Sequence, residues 1–303
     1  MPAIHPFRAV QYHNGEGDVS DLVAPPYDVL SAADKQSYLS KNAKNIVSVD
    51  LPHVPPKELG PPEAYQQAAA ALEAMLSDGT MTRREKPAIF AYRQTFEAEG
   101  QTFKRTGMAC ALDTVPFGTR EGGGILPHEQ TFSGPKEDRK ALMEATATQL
   151  SPIFGLHPDD SGAATKVVHG VCDSRDPDMT ADLGDGVLHE VWTIEDEATI
   201  SAYRDALAGE DVFIADGHHR SAAAARVHTT RGTESTAFFL AGLYPSDKLQ
   251  VLPYNRVVHD LGGRTHEAFM DEVRAVFAVD TADGCVPEGP GNFRMYLSGS
   301  WYN

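Results

Sequence analysis

Two adjacent histidines and an arginine follow a glycine in the segment IADGHHRSAAAA, residues 214–225. The apolar residues that open the segment are typical of a buried strand, the glycine permits a tight turn, and the alanines favour a helix beginning near residue 218. The free N–H groups of a first helical turn and the positive end of the helix dipole can bind an anion, and an arginine fork matches phosphate oxygens. The sequence therefore predicts a phosphate-binding turn, formed by Gly217, His218, His219 and Arg220.

Two other interpretations of this segment stay open. In the first interpretation, Asp216 does no more than cap the helix, and the histidines are ordinary surface or core residues. Asp216 and the histidines can also be metal ligands, although neighbouring side chains diverge and no HxxxH spacing is present. The sequence assigns no metal ligand with certainty.

Polar residues that could exchange protons lie in two other segments. In LPHEQT, His128 and Glu129 follow an apolar strand in a loop, where general acids and bases are often found. In LVAPPYDVLS, two prolines fix the loop that carries Tyr27 and Asp28, which suits a site and a structural corner equally. Ser151, in QLSPIFGL, is a weaker candidate.

A helix that begins with charged residues is expected after LPHEQT. A Gly134–Pro135 turn is predicted first, and residues 136–139, KEDR, then fall in the first helical turn. The helix dipole favours acidic side chains at that position and disfavours Lys136 and Arg139. A bound anion would explain both cations.

The elements that must position these groups alternate between helix and strand patterns. Such alternation predicts an α/β or α+β fold, with a mixed sheet and flanking helices. The expected helices span residues 31–41, 63–77, 136–150, 194–208, 221–229 and 265–277, with capping boxes starting at Ser31 and Thr193. The expected strands span residues 186–193, 211–215, 237–243 and 249–258, and a hairpin turns at 97–100.

The length of 303 residues suits one large domain or two modest ones. A polar stretch at residues 157–166 suggests an N-terminal α/β region, 1–156, and a region 157–303 that carries the DGHHR segment. The two regions can also form one compact unit. Because the last strand-like segment has no element after it, truncation at the C-terminus is expected.

The formal net charge of −17, from 26 basic and 43 acidic residues, argues against nucleic-acid and anionic-membrane partners. The sequence contains neither a signal-peptide pattern nor an apolar run long enough to span a membrane, which predicts a cytoplasmic protein. The oligomeric state is left undetermined.

Six motifs in fixed order, APPYDV, LPHEQT, GPKEDR, LSPIFGL, IADGHHR and LPYNRVV, resemble the DUF 1015 family over essentially the whole chain. That family implies no reaction. The DGHHR box is also similar to the Gly-x-His-Arg box of the ParB and sulfiredoxin superfamily, which includes kinases of free serine. This similarity implies a ParB/sulfiredoxin-like core that places residues 217–220 at nucleotide phosphates, with Asp216 as a candidate catalytic carboxylate. Glu129 is a second candidate, assigned from its neighbourhood in LPHEQT and not from a matched motif.

The combined expectation is a nucleotide-dependent kinase that acts on a hydroxylated metabolite, with free serine as one candidate acceptor. Mg²⁺ is expected to accompany ATP or ADP, and Glu129, or else Asp216 or Asp28, would accept the hydroxyl proton. Two alternatives stay open. The same residues could serve a phosphate-ester hydrolase, or a non-catalytic regulator that binds a nucleotide or phosphorylated metabolite.

Overall fold

A computed structural model describes residues 2–13, 17–98, 100–249 and 255–303. The chain forms two compact units, Met1–Leu249 and Gln250–Asn303. All three clusters of buried hydrophobic residues in the described chain belong to the first unit. The residues that the sequence singles out for phosphate and proton chemistry are also in the first unit.

The main sheet of the first unit has nine strands in the described chain, in the order β6-β10-β7-β11-β5-β4-β9-β8, with β1 paired to β5. The strands of this unit are β1 (Ile4–His5), β2 (Val10–Tyr12), β3 (Met81–Arg83), β4 (Ile89–Ala98), β5 (Gln101–Asp113), β6 (Ile125–Leu126), β7 (Ile153–His157), β8 (Met179–Asp182), β9 (Val187–Ile194), β10 (Val212–Asp216) and β11 (Phe238–Pro245). Strand β10 is parallel to β6 and antiparallel to β7, and β7 is parallel to β11. The sheet is therefore mixed, which confirms the expected α/β class.

In the described part of the first unit, seven α-helices connect these strands or cover the sheet. They are α1 (Ala32–Lys41), α2 (Val47–Asp50), α3 (Pro62–Ser77), α4 (Ser133–Thr146), α5 (Ala163–Cys172), α6 (Glu197–Ala206) and α7 (His218–Arg231). Helix α4 packs against both α3 and α7. The polar stretch expected to mark a boundary, residues 157–166, spans the end of β7 and the start of α5, and a division there stays a prediction.

Local sequence accounts for several of these elements. The capping box predicted at the start of α1 is confirmed, since Ser31 Oγ accepts the Asp34 amide and the Asp34 carboxylate accepts the Ser31 amide. Helix α3 has Pro62 in its first turn, where a missing N–H costs nothing. Strands β4 and β5 form the expected hairpin.

Other predicted boundaries are wrong. Helix α4 begins at Ser133, so Gly134 and Pro135 lie in its first turn and do not form a preceding turn. Helix α6 is capped by Asp196, whose carboxylate accepts the Thr199 amide; Thr193 instead belongs to β9. Of the strand expected over 249–258, residues 250–254 lie outside the described residues and 255–258 are not in a strand.

The second unit contains α8 (His266–Arg274) and a small sheet in the order β12-β14-β13. Its strands are β12 (Thr281–Ala282), β13 (Met295–Leu297) and β14 (Ser300–Tyr302). Across both units, none of the helices in the described ranges is long and apolar enough to cross a membrane.

Candidate functional site

The turn from β10 into α7 is built on Gly217, which has a φ of 99°. A Cβ on this residue would lie 3.1 Å from the Arg220 Nε and 3.2 Å from the Ile153 Cα, so a larger residue would be both strained and crowded. The first intrahelical bond runs from the Ser221 amide to the Gly217 carbonyl, at 2.9 Å. The amides of the three preceding residues therefore open the helix at its positive end.

Arg220 connects the ends of two neighbouring strands. One terminal nitrogen donates to the Pro152 carbonyl at 2.6 Å, and the other pairs with the Asp216 carboxylate. A register shift between β10 and β7 at residues 214–216 places Asp216 beside the start of β7. Because the guanidinium is buried and already engaged, its main effect is to fix the turn.

His218 is buried and links the turn to the LPHEQT segment. Its Nε2 accepts the His128 amide at 3.3 Å, and its Nδ1 lies 3.2 Å from Glu129 Oε1. In a neutral imidazole that accepts at Nε2, the proton is on Nδ1 and faces Glu129. Burial lowers the pKa of His218, although the nearby Glu129 carboxylate opposes this shift. His218 is thereby suited to orient Glu129, whose side chain is 51% exposed.

The His128 ring lies edge-on to the His218 ring, with centroids 4.5 Å apart. Its Nδ1 donates to the Ile214 carbonyl at 2.8 Å, which leaves Nε2 as the nitrogen with a free lone pair. Potential ligand atoms of His128, Glu129 and His218 lie within 4.8 Å of one another. Because the proton on His218 Nδ1 faces Glu129, the group is better suited to proton exchange than to holding a cation.

His219 lies where charged residues from several segments meet. Its Nε2 accepts the Phe132 amide at 3.1 Å, and burial is the largest cause of the lowered pKa of this histidine. Glu129 opposes the shift, while Lys57 and Lys136 reinforce it. Both lysines are therefore close enough to act on the first turn of α7.

Asp28 and Arg139 come from the APPYDV and GPKEDR segments, which meet where Arg139 lies over the Tyr27 ring. Asp28 pairs with Lys57 at 3.4 Å. Arg139 is buried, lies 3.8 Å above the Tyr27 ring and pairs with Asp138 at 2.8 Å. Arg139 is in the second turn of α4, and its charge is balanced by Asp138 and Asp50; a role for it in anion binding stays a prediction.

The sequence did not single out Asp50, Tyr65 or His53, which lie around Arg139 and its partner Asp138. Asp50 accepts the Ser151 hydroxyl at 2.8 Å, and burial raises the pKa of Asp50 while Arg139 opposes the rise. Asp138 accepts the Tyr65 hydroxyl at 2.7 Å and lies 2.9 Å from His53 Nε2. The segment LPHVPPK, residues 51–57, has the same proline-bounded polar character as APPYDV and could have drawn attention to His53 and Lys57.

Comparison with known proteins gives one match. A family model described as "Protein of unknown function (DUF1015)" covers residues 4–303. The chain belongs to this family. No curated protein and no solved structure matched the chain.

Membership of DUF1015, expected from the six motifs, is thus confirmed. In this DUF1015 protein five of those motifs, APPYDV, LPHEQT, GPKEDR, LSPIFGL and IADGHHR, converge around the start of α7 and the buried Arg139. The sixth, LPYNRVV, falls partly outside the described residues. A ParB/sulfiredoxin-like core stays a prediction.

Proposed function

We propose that this DUF1015 protein binds a phosphorylated ligand at the start of α7 and is a nucleotide-dependent phosphotransferase acting on a hydroxylated metabolite. The observation that carries the proposal is the geometry of the α7 start, where the helix opens at Gly217 and His218 Nδ1 lies 3.2 Å from Glu129 Oε1. Two lysines, Lys57 and Lys136, come from separate segments and act on the same helix start as two carboxylates, Glu129 and Asp216. Phosphoryl transfer needs this combination of anion-binding cations and a proton acceptor.

The phosphate groups would bind the opening amides of α7 and the two lysines. Lys57 is 52% exposed in its side chain, and its only carboxylate partner within the described residues is Asp28, at 3.4 Å. A polyphosphate can therefore compete for it with little desolvation. Arg220 would act indirectly, because it fixes the turn through Asp216 and Pro152.

Glu129 is the carboxylate best suited to accept the hydroxyl proton of an acceptor. It reaches solvent and is held by His218, whereas Asp216 and Asp28 are paired with cations. Mg²⁺ would accompany ATP or ADP, held mainly by phosphate oxygens and water, with the 64% exposed Asp216 side chain as a further oxygen ligand. When bound, that ion would neutralise phosphate charge.

The similarity of the DGHHR box to that of free-serine kinases favours serine as the first acceptor to test. Two other functions would use the same residues. A hydrolase would use water as the acceptor, and a regulator would bind the ligand without turnover.

The proposal is tested by thermal unfolding of the full chain with ATP, ADP, pyrophosphate or phosphoserine, each with Mg²⁺. We expect a nucleotide to raise the Tm of the wild type, and Lys57→Ala and Lys136→Ala to reduce that rise. The control is Lys86→Ala, which removes a lysine that is 79% exposed and pairs with Glu195. If no phosphorylated ligand raises the Tm of the folded wild type, the proposed site is wrong.

Product analysis by ³¹P NMR separates the three functions. Phosphoserine formed from ATP and serine would support the kinase, and its loss in Glu129→Gln would support the assigned base. Inorganic phosphate formed without an acceptor would indicate the hydrolase. Binding without any product, unchanged in Glu129→Gln, would indicate the regulator.

A further inference from the structure

A second group of potential metal ligands lies at the other end of strands β7 and β10. His157 ends β7, Asp159 follows it by two residues, and Glu210 precedes β10. Because β7 and β10 are antiparallel, the end of one meets the start of the other, and α7 begins at the opposite end of β10. One ligand atom from each of the three residues lies within 4.8 Å of the other two.

His157 presents a buried nitrogen to this group. The residue is 1% exposed, and its Nδ1 lies 3.2 Å from Glu210 Oε2. Within the described part of the chain, that nitrogen makes no hydrogen bond of acceptable geometry. A buried polar atom without such a bond is costly, so a partner for this nitrogen is expected.

The Tyr203 hydroxyl is a second buried polar atom on which the same carboxylates act electrostatically. Tyr203 is 1% exposed, and its hydroxyl has no hydrogen-bond partner among the described residues. The charges of Asp159 and Glu210 both act on it. The buried His157 nitrogen, which faces Glu210 without a hydrogen bond, indicates that a bound species completes this group.

We propose that His157, Asp159 and Glu210 bind a divalent transition-metal ion. Two ligands bound at about 2.0–2.2 Å to a tetrahedral or octahedral ion lie roughly 3.0–3.5 Å apart. The separation of His157 Nδ1 and Glu210 Oε2, 3.2 Å, falls in that range. The ion would balance the two carboxylates, and Glu210, 20% exposed in its side chain, leaves a path for the ion and for completing water molecules.

The Asp159 carboxylate is already held in place, as is common for metal ligands. It accepts the Ala164 amide at 3.0 Å, the Thr165 amide at 2.9 Å and the Thr165 hydroxyl at 2.6 Å. One imidazole with two carboxylates matches the ligand preferences of Zn²⁺ and Mn²⁺. The ion would connect the segment between β7 and α5 to the start of β10. It would bind independently of any ligand at α7.

The test is titration of the full, chelator-treated chain with Mn²⁺ and Zn²⁺ by isothermal calorimetry, without nucleotide. We expect one equivalent to bind, and Glu210→Gln to weaken binding at least about tenfold. Glu234→Gln, the same charge change at an exposed position of the first unit, is expected to bind like the wild type. Circular dichroism checks that each variant is folded.

Electron spin-echo spectroscopy of the Mn²⁺-loaded wild type gives a readout that depends on no variant. We expect modulation from one coordinated histidine nitrogen. Absence of saturable binding, equal affinity in wild type and Glu210→Gln, or a bound ion without histidine modulation would each overturn the proposal. Binding lost in Glu129→Gln but kept in Glu210→Gln would place the ion at the start of α7 and would also overturn it.

Discussion

At the residue scale, Asp138 shows how the region beside α7 is held together. It is fully buried, pairs with Arg139, accepts the Tyr65 hydroxyl and lies 2.9 Å from His53 Nε2. Asp138→Asn would leave the buried Arg139 without its closest counter-charge. We expect the free energy of unfolding to fall by about 3–5 kcal/mol, measured by urea denaturation.

Glu137→Gln is the matched control for this prediction. Glu137 is the preceding residue and pairs with Arg226 near the surface, where ion pairs contribute about 0–1 kcal/mol. Equal losses of stability in the two variants would show that burial of Asp138 is not the cause.

His189 gives a prediction about pH. Its Nδ1 lies 2.6 Å from the Tyr92 hydroxyl, and burial lowers its pKa from the ordinary value of 6.5, although Asp185 and Asp182 oppose the shift. The unfolded chain therefore binds this proton more readily than the folded protein does. The resulting contribution to stability is fully present above pH 6.5 and declines as pH falls from there toward the folded pKa.

We expect His189→Gln, which can still accept the Tyr92 hydroxyl, to flatten the decline in unfolding free energy between about pH 7 and 5. Urea denaturation at several pH values measures the slope. His13→Gln, at an exposed position, serves as the control. Parallel slopes for wild type and His189→Gln would contradict the prediction.

The sequence could single out some residues of the candidate site but not others. Residues 217–220 form a local pattern, in which a glycine separates an apolar strand from an alanine-rich helix, and such a pattern is visible without the fold. Asp50 could not be found in this way, because its partner Ser151 is 101 residues distant. The contacts of Arg139 with Tyr27 and Asp50 could not be found either, because those partners come from segments distant in the sequence.

At the element scale, the turn between β10 and α7 depends on Gly217. At a φ of 99° an alanine is strained by about 1–3 kcal/mol, and its Cβ would press on the Arg220 side chain. We expect Gly217→Ala to destabilise the protein and to abolish the nucleotide-induced rise in Tm. Urea denaturation and thermal shift measure the two effects.

Gly232→Ala, at the other end of α7, separates strain from crowding. Gly232 has a φ of 60°, and no atom lies within 4 Å of the position a Cβ would take. The expected cost is about 1–2 kcal/mol, with the nucleotide response retained. Loss of that response in Gly232→Ala as well would mean that general destabilisation, not the turn, explains the result for Gly217→Ala.

The ends of helices and strands were harder to predict than the presence of the helices and strands themselves. The alanine-rich α3 and the β4–β5 hairpin follow from strong local patterns. Helix α4 begins earlier than predicted because Pro135 was assigned to a turn, although proline is tolerated in a first helical turn, where its missing N–H has no helical partner. Pairing order is not local, so the position of β10 between β6 and β7 could not be predicted from the sequence.

At the scale of the whole molecule, the three hydrophobic clusters and both proposed sites lie within residues 1–249. The unit that holds them is large enough to bury a core of its own. We therefore expect a fragment of residues 1–249 to unfold cooperatively in urea and to keep the nucleotide-induced rise in Tm. The metal affinity of Glu210 and its partners should also persist, because none of those ligands comes from the second unit. A fragment that folds but has lost either response would show that the corresponding site needs residues 250–303, and a fragment without a cooperative transition would show that the core itself needs them.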